Sequence, residues 1–317
     1  PPLSLLLLFG LWALALIFGY ALMHHGFHVR LEPPAESFLS RLYFSGVTFL
    51  TLGYGDIAPT DPGGRFIATA EAANGFLFLA LVVSYLPVFY QAIQRREIAI
   101  ARLDARAGSM PSGHELLYRY AGFGCLHRPE VLQEYEQWGA ELLEAYLSYP
   151  VLCFYRSQHD EQSWLMTLTA ILDACAIIES SCDGEQESVT VRELRMQARM
   201  TRAMLRHVIV DLAYILRLNP DFDSPPRLSE ELFAFIHGDL EAAGIPMRDE
   251  AVAWPAMEAI RNEYEPYVKG IGNELLFALP AWGRSAGVRD NWEIAAWDGQ
   301  SHRGGEPETS TPPARSS

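Results

Sequence analysis

The chain has 317 residues, of which 50% are apolar and 20% are charged, and its formal net charge is −15. This composition excludes collagen, low-complexity disorder and a disulfide-stapled scaffold. Residues 1–96 contain five arginines, no lysine and five acidic residues, so the whole net negative charge belongs to residues 97–317. A nucleic-acid partner is excluded as well, since such binding depends on Lys and Arg side chains that neutralise phosphates.

The first apolar segment runs from Leu3 to Met23 without a charged residue. An α-helix of about 20 such residues crosses the hydrocarbon core of a bilayer. A secretory signal peptide is the alternative, but its apolar core would be only about 7 to 15 residues long and would follow basic residues. We therefore predict a membrane-spanning helix. Because the chain begins Pro-Pro without Met, we also expect further residues upstream.

A second apolar segment covers residues 66–93 and is followed directly by Arg95 and Arg96. Basic residues beside a span mark its cytoplasmic end. The pattern predicts a multi-pass protein of the plasma or inner membrane. The loop between the spans then lies outside, and the acidic C-terminal region lies in the cytoplasm.

Ionisable residues near the outer ends of the spans leave two interpretations open. Glu71 is an acid within the second span, where it has either a functional role or contact with water at the extracellular rim. His24, His25 and His28 follow the first span and either sense extracellular pH or belong to an ordinary solvated turret, the simpler reading.

The loop between the spans predicts a short helix that enters the membrane and turns back. Pro33 and Pro34 end the preceding structure, and Ser37 can cap a helix over residues 38–50. This helix is too short to span a bilayer, and it leads into a glycine-rich segment. Non-helical backbone at membrane depth is tolerated where protein buries it or where it lines a wet cavity.

Residues 48–56 read T-F-L-T-L-G-Y-G-D and closely resemble the potassium-channel selectivity filter. Over about residues 3–96 the chain resembles the prokaryotic one-pore potassium-channel family. The resemblance implies an all-α membrane fold: a pore module of two transmembrane helices and a re-entrant pore helix. The filter residues that it implies as K⁺ ligands are Thr51, Leu52, Gly53 and Tyr54, followed by Gly55. Gly53 and Gly55 permit backbone angles that a residue with a Cβ resists. No cofactor is expected apart from the permeant ion.

The same resemblance assigns residues around the filter. Tyr43 precedes Asp56 by 13 residues and is implied to bond it. Val47 occupies a position where some relatives carry a carboxylate, so that support of the filter is missing. Gly75 matches the glycine hinge of the inner helix, although close packing of small residues is the alternative.

The rest of the second span is implied to line and gate the pore. Its implied cavity-lining residues are Phe76, Leu79 and Val83. Pro87 provides a second bend, because proline removes a backbone hydrogen bond inside a helix. The gate is expected either beside Pro87 or at the filter itself.

One pore loop supplies a quarter of a closed ring of carbonyls, which implies a homotetramer. The sequence thus favours a potassium-selective channel over two alternatives. A membrane-anchored signalling or enzymatic domain has no need of an intact filter. A subunit of a potassium uptake system is nearer to a channel than an anchored domain is, but such transporters place four degenerate pore loops in one chain, whereas this chain has one.

Beyond the pore, we predict an all-α cytoplasmic domain over residues 97–297 and a disordered tail over 298–317. Helical periodicity is found at 97–106, 115–123, 129–148, 162–181, 189–218, 228–243 and 249–279, the last in one or two pieces. The apolar stretch 164–178 is predicted to be a buried core helix rather than a third span, because it is short and contains Asp173.

The C-terminal region predicts regulation rather than catalysis. It lacks a dinucleotide fingerprint. His159, Asp160 and Glu161 are adjacent, which suits a helix cap better than an acid–base cluster. Its cysteines, which lack metal-ligand spacing, are expected to be reduced, mostly buried thiols. They are Cys125, Cys153, Cys175 and Cys182.

One helix of this region carries a row of five arginines: Arg192, Arg195, Arg199, Arg202 and Arg206. Voltage-sensing arginines belong to membrane-spanning helices, so we interpret the row as a basic face paired with acids of this acidic region. Contact of Arg195, Arg199 and Arg202 with anionic lipids is the alternative.

Overall fold

The computed structural model describes residues 2–34, 37–122, 128–157, 162–182 and 189–283. Within these ranges the chain forms ten α-helices, one 3-10 helix and one two-stranded ribbon, which makes it an all-α protein. The helices are α1 (Pro2–Gly26), α2 (Phe38–Phe49), α3 (Pro62–Ala107), α4 (Gly113–Gly122), α5 (Glu130–Ser148), α6 (Trp164–Ser181), α7 (Val189–Ile215), α8 (Glu230–Ala242), α9 (Glu250–Asn262) and α10 (Glu265–Leu275). The 3-10 helix covers Pro150–Phe154, and the strands are β1 (Leu31–Glu32) and β2 (Ala58–Pro59).

The chain divides into two compact units, Pro1–Ile93 and Gln94–Ser317. The sequence predicts the boundary three residues later, after Arg96. The division falls inside α3, whose last turns belong to the second unit. The predicted tail 298–317 lies outside the described residues, as do Cys125 and the stretch from His159 to Glu161.

In the first unit, α1 and α3 are long and apolar enough to cross a membrane. Leu3, Leu7 and Leu14 on α1 are each about two-thirds exposed, as residues that face lipid would be. The chain is therefore a membrane protein. Between the two spans, Ser37 caps α2 as predicted, because its Oγ accepts the Ser40 amide at 3.1 Å.

The loop between the two spans is closed by the antiparallel pairing of β1 with β2, in which Leu31 lies opposite Pro59. Leu31 also belongs to a small apolar cluster with Val29 and Phe44. Next to it, Asp61 accepts the amides of Gly64 (2.8 Å) and Arg30 (2.9 Å). These two hydrogen bonds lower the pKa of Asp61, because they favour the charged carboxylate.

In the second unit, α6 is the central helix, and α4, α7 and α9 pack around it. By length and composition alone α6 also qualifies as a membrane span, but protein encloses nearly all of it. Its start is set by Ser163, whose side chain accepts the Met166 amide at 3.0 Å. Ser229 and Asp249 cap α8 and α9 in the same way.

Asp173 on α6 is fully buried, but it is paired. Arg227 donates to both of its oxygens, at 2.9 and 3.1 Å, and the Tyr264 hydroxyl donates at 2.7 Å. Burial acts to lower the pKa of Arg227, but the charge and hydrogen bonds of Asp173, together with the charges of Tyr264 and Glu265, outweigh it, so this pKa is raised. These partners allow a charged residue to lie within an apolar core helix.

Cys153, Cys175 and Cys182 are buried and free, which confirms the prediction of reduced thiols for these three residues. Burial raises the pKa of Cys153 and of Cys182 to about 12. It also raises the pKa of Cys175 well above its usual value. At neutral pH the three side chains are therefore protonated and weakly nucleophilic.

Candidate functional site

The candidate site begins where the chain leaves α2. Three successive amides after the helix remain bonded to it: Leu50 to the Gly46 carbonyl (3.0 Å), Thr51 to that of Thr48 (3.0 Å) and Leu52 to that of Val47 (2.9 Å). The position and direction of the following glycine-rich segment are therefore set by α2.

Residues 51–55 have an unusual backbone. Positive φ angles recur at every second residue: 56° at Thr51, 60° at Gly53 and 75° at Gly55. Glycine adopts such angles at little cost, whereas a β-branched residue such as Thr51 does so only when its surroundings hold it there. In the part of the chain that the structure describes, the carbonyls of residues 51–55 accept no hydrogen bond from the protein.

The far end of this segment is attached to the same helix. The Tyr43 hydroxyl on α2 donates to Asp56 Oδ2 at 2.8 Å, which is the bond that the resemblance implies. Residues 51–55 are thus held by α2 at both ends. Their side chains are exposed, with Leu52 at 52% and Tyr54 at 67% of full exposure.

Val47 is buried, and its carbonyl holds Leu52, but its side chain brings no polar group to the site. A carboxyl group instead reaches α2 from α3. Glu71 is fully buried, so contact with water at the rim is the wrong interpretation for it. It contacts Ser45 on α2 and His24 on α1.

The three histidines near the C-terminal end of α1 differ in their environments. His24 lies within α1 and is fully buried, so a solvated turret is the wrong interpretation for this residue. His25 and His28 are exposed. Sequence reasoning missed the contact between His24 and Glu71, although an ionisable residue near the end of each span was a signal that the two could meet.

Gly75 lies against the end of α2. A Cβ at this position would overlap the Phe49 carbonyl, so only glycine fits the observed approach of the two helices. This geometry supports the packing interpretation, while the helix itself continues through Gly75 without a break. A hinge at Gly75 stays a prediction.

Further along α3, Phe76, Leu79 and Val83 are each more than half exposed. Together with Pro87 they follow helical spacing and share one face. The helix also continues through Pro87, which is exposed. The residues predicted to line and gate a pore therefore form one apolar surface without a partner in the described chain.

The arginine row lies on α7, as predicted, and part of it is paired. Arg202 donates to Glu179 and to Glu263 at 2.6 Å each, and Arg206 donates to the Glu263 carbonyl at 3.2 Å. Arg199 is exposed. For Arg202 and Arg206, the contacts fit the interpretation of a basic face that pairs with acids.

Comparison with known proteins shows which sequences this chain resembles. Residues 7–92 match the model of a family described as ion channels. A membrane protein of Bacillus subtilis (strain 168), YdjJ, is 24% identical over 84% of this chain and 82% of its own length. Protein LctB of Geobacillus stearothermophilus is 34% identical over 23% of this chain and 63% of its own length.

The human potassium voltage-gated channel subfamily A member 10 is 32% identical over 29% of this chain, a match that covers 18% of the human protein. No solved structure matches the chain at a significant level. The membrane segment of this chain, residues 7–92, is therefore similar in sequence to the ion channel family and to a potassium channel.

Proposed function

We propose that four copies of this chain form a potassium-selective channel in the plasma or inner membrane, with the second unit in the cytoplasm. The observation that carries this proposal is the backbone of residues 51–55, with positive φ at alternate residues and carbonyls that accept no bond from the described chain. Alternating left- and right-handed residues turn successive peptide groups to the same side. Carbonyls arranged in this way can replace the water shell of K⁺.

The ligands in this proposal are the carbonyls of Thr51, Leu52, Gly53 and Tyr54, with the Thr51 hydroxyl. One chain supplies one strand of the filter, so a closed ring requires four. The side chains of Leu52 and Tyr54 and the apolar surface of α3 that includes Leu79 are exposed, which supports contact with neighbouring copies of the chain. The C-terminal ends of four α2 helices would also converge, and their partial negative charges favour a cation.

Conduction in this proposal is passive, so it assigns no catalytic residue and no cofactor. The C-terminal unit has a regulatory role, because α3 continues from the span into that unit. Lipid contact by Arg195, Arg199 and Arg202 is not included, since Arg202 is already held by two acids.

Recording from the purified protein in planar bilayers tests the proposal. Under opposed potassium and sodium gradients, the reversal potential should lie near the potassium equilibrium value. Gly53→Ala should abolish selective current, because alanine resists the φ of 60° at this position. Gly19→Ala is the matched control, since its Cβ would meet open space within a helix. Equal permeability to the two ions would overturn the proposal.

A further inference from the structure

A buried polar cluster joins all three helices of the first unit at Glu71. Glu71 Oε2 lies 2.8 Å from His24 Nε2, and both side chains are fully buried. The Ser45 hydroxyl contacts Glu71 Oε1 and lies 2.7 Å from the Ile17 carbonyl of α1. A single carboxyl group on α3 therefore contacts both α1 and α2.

The charged groups around this cluster do not compete for Glu71. Arg41 on α2 donates instead to the carbonyls of His24 (2.7 Å) and Val29 (3.1 Å). The Phe44 ring lies edge-on to the His24 imidazole, with 5.1 Å between the ring centroids. Within the described residues, the contacts of the Glu71 carboxyl are thus the His24 imidazole and the Ser45 hydroxyl, and burial makes their loss costly.

Ser45 lies six residues before Thr51 on the helix that holds the filter segment. Because the Leu52 amide bonds the Val47 carbonyl at 2.9 Å, a displacement of α2 also moves the first residues of that segment. Val47 supplies no polar group that could fix α2. The contact of Ser45 with Glu71 supplies one from a different helix.

We propose that Glu71 is a positioning residue of the filter, an inference that rests on the proposed potassium conduction. Its carboxyl group holds α2 through Ser45 and is itself held by His24 of α1. The acid on α3 therefore provides the attachment that the residue at position 47 does not provide. Glu71 acts on K⁺ only through the position of α2.

The chemistry of the cluster predicts which variant at position 71 retains function. Ser45 has one hydrogen but two acceptors within reach, the Ile17 carbonyl and Glu71. A glutamine at position 71 has the same size, accepts from His24 through its oxygen and donates to Ser45 through its amide. Glu71→Gln should therefore rescue the function that Glu71→Leu loses.

The experiment compares four variants of the full chain in planar bilayers. Glu71→Leu and Ser45→Ala should lower the ratio of potassium to sodium permeability about tenfold, the change expected from one lost buried hydrogen bond. Glu71→Gln should keep the wild-type ratio. Asn74→Ala is the matched control, since it removes a bond between α3 and α1, from Asn74 Nδ2 to the Tyr20 hydroxyl at 3.1 Å, and leaves α2 untouched.

The outcomes separate the two proposals. A wild-type protein without potassium selectivity overturns the proposed function, and this inference with it. If the wild type is selective and the Glu71→Leu and Ser45→Ala variants keep its permeability ratio, the inference alone is overturned. An equal loss of potassium selectivity in Asn74→Ala also overturns the inference alone. If Glu71→Leu does not assemble, Ser45→Ala decides, because it keeps the contact between His24 and Glu71.

Discussion

At the scale of single residues, glycine serves two different purposes in the first unit. Gly53 and Gly55 have positive φ, so they are required for their backbone angles. Gly75 is required for the space between helices, because a Cβ there would overlap the Phe49 carbonyl. In the sequence Gly53, Gly55 and Gly75 look alike, and only the structure distinguishes glycines required for their backbone angles from a glycine required for its small size.

The steric role of Gly75 predicts the outcome of Gly75→Ala. Forcing a methyl group into this contact should destabilise the protein by about 1–3 kcal/mol. The expected result is a lower thermal unfolding temperature in detergent, with Gly19→Ala unchanged as the control. An unchanged unfolding temperature combined with altered opening in bilayers would instead assign Gly75 to a hinge.

At the scale of helices, the parts that follow local rules were predictable. Apolar length gave the two spans, Ser37 gave the start of α2, and 3.6-residue periodicity gave the helices of the second unit to within a few residues. The 3-10 helix Pro150–Phe154 was missed, because a single short turn has no periodicity to detect.

The pairing of polar side chains between helices was not predictable. Asp173 finds Arg227 and Tyr264 at separations of 54 and 91 residues, and Glu71 finds Ser45 and His24 on two other helices. Periodicity places a residue on a face of its own helix, but it does not say which helix packs there. The motif in the sequence therefore singles out residues 51–55 as a candidate filter, but nothing in the sequence predicts the contacts of Glu71 with Ser45 and His24.

The arginine row on α7 shows the consequence of such pairing. Arg202→Gln should destabilise the protein by about 1.5–3 kcal/mol, because Glu179 and Glu263 both lose a charged donor. Arg199→Gln, on the same helix but exposed, should change stability by less than about 0.5 kcal/mol.

Denaturant titration of the two variants, followed by tryptophan fluorescence, measures both changes. Equal effects from Arg199→Gln and Arg202→Gln would contradict the paired interpretation. Weaker binding of both variants than of the wild type to anionic vesicles would support contact of the row with a membrane surface instead.

At the scale of the whole molecule, the chain combines a nearly neutral membrane unit with a strongly acidic second unit. Residues 1–96 carry no net charge, and the remaining residues carry −15. The two units share α3, which contains Gly75 and Pro87 in the first and Arg95 and Arg96 in the second. The proposed regulation of the pore by the second unit would use this continuous helix.

We expect the movable gate of the proposed channel to lie on α3 near Pro87. Proline cannot donate to the Val83 carbonyl, so the helix is weakest there, and Leu86 and Tyr90 provide apolar side chains that can close a pore by dewetting. A cysteine introduced at Leu79, above this level, should react quickly with cytosolic thiol reagent in open channels and slowly in closed ones. The buried thiols of Cys153, Cys175 and Cys182 should not interfere, and a Cys125→Ser background removes the fourth cysteine. Equal rates in the two states would place the gate at the filter, because reagent would then reach Leu79 whether or not the channel conducts.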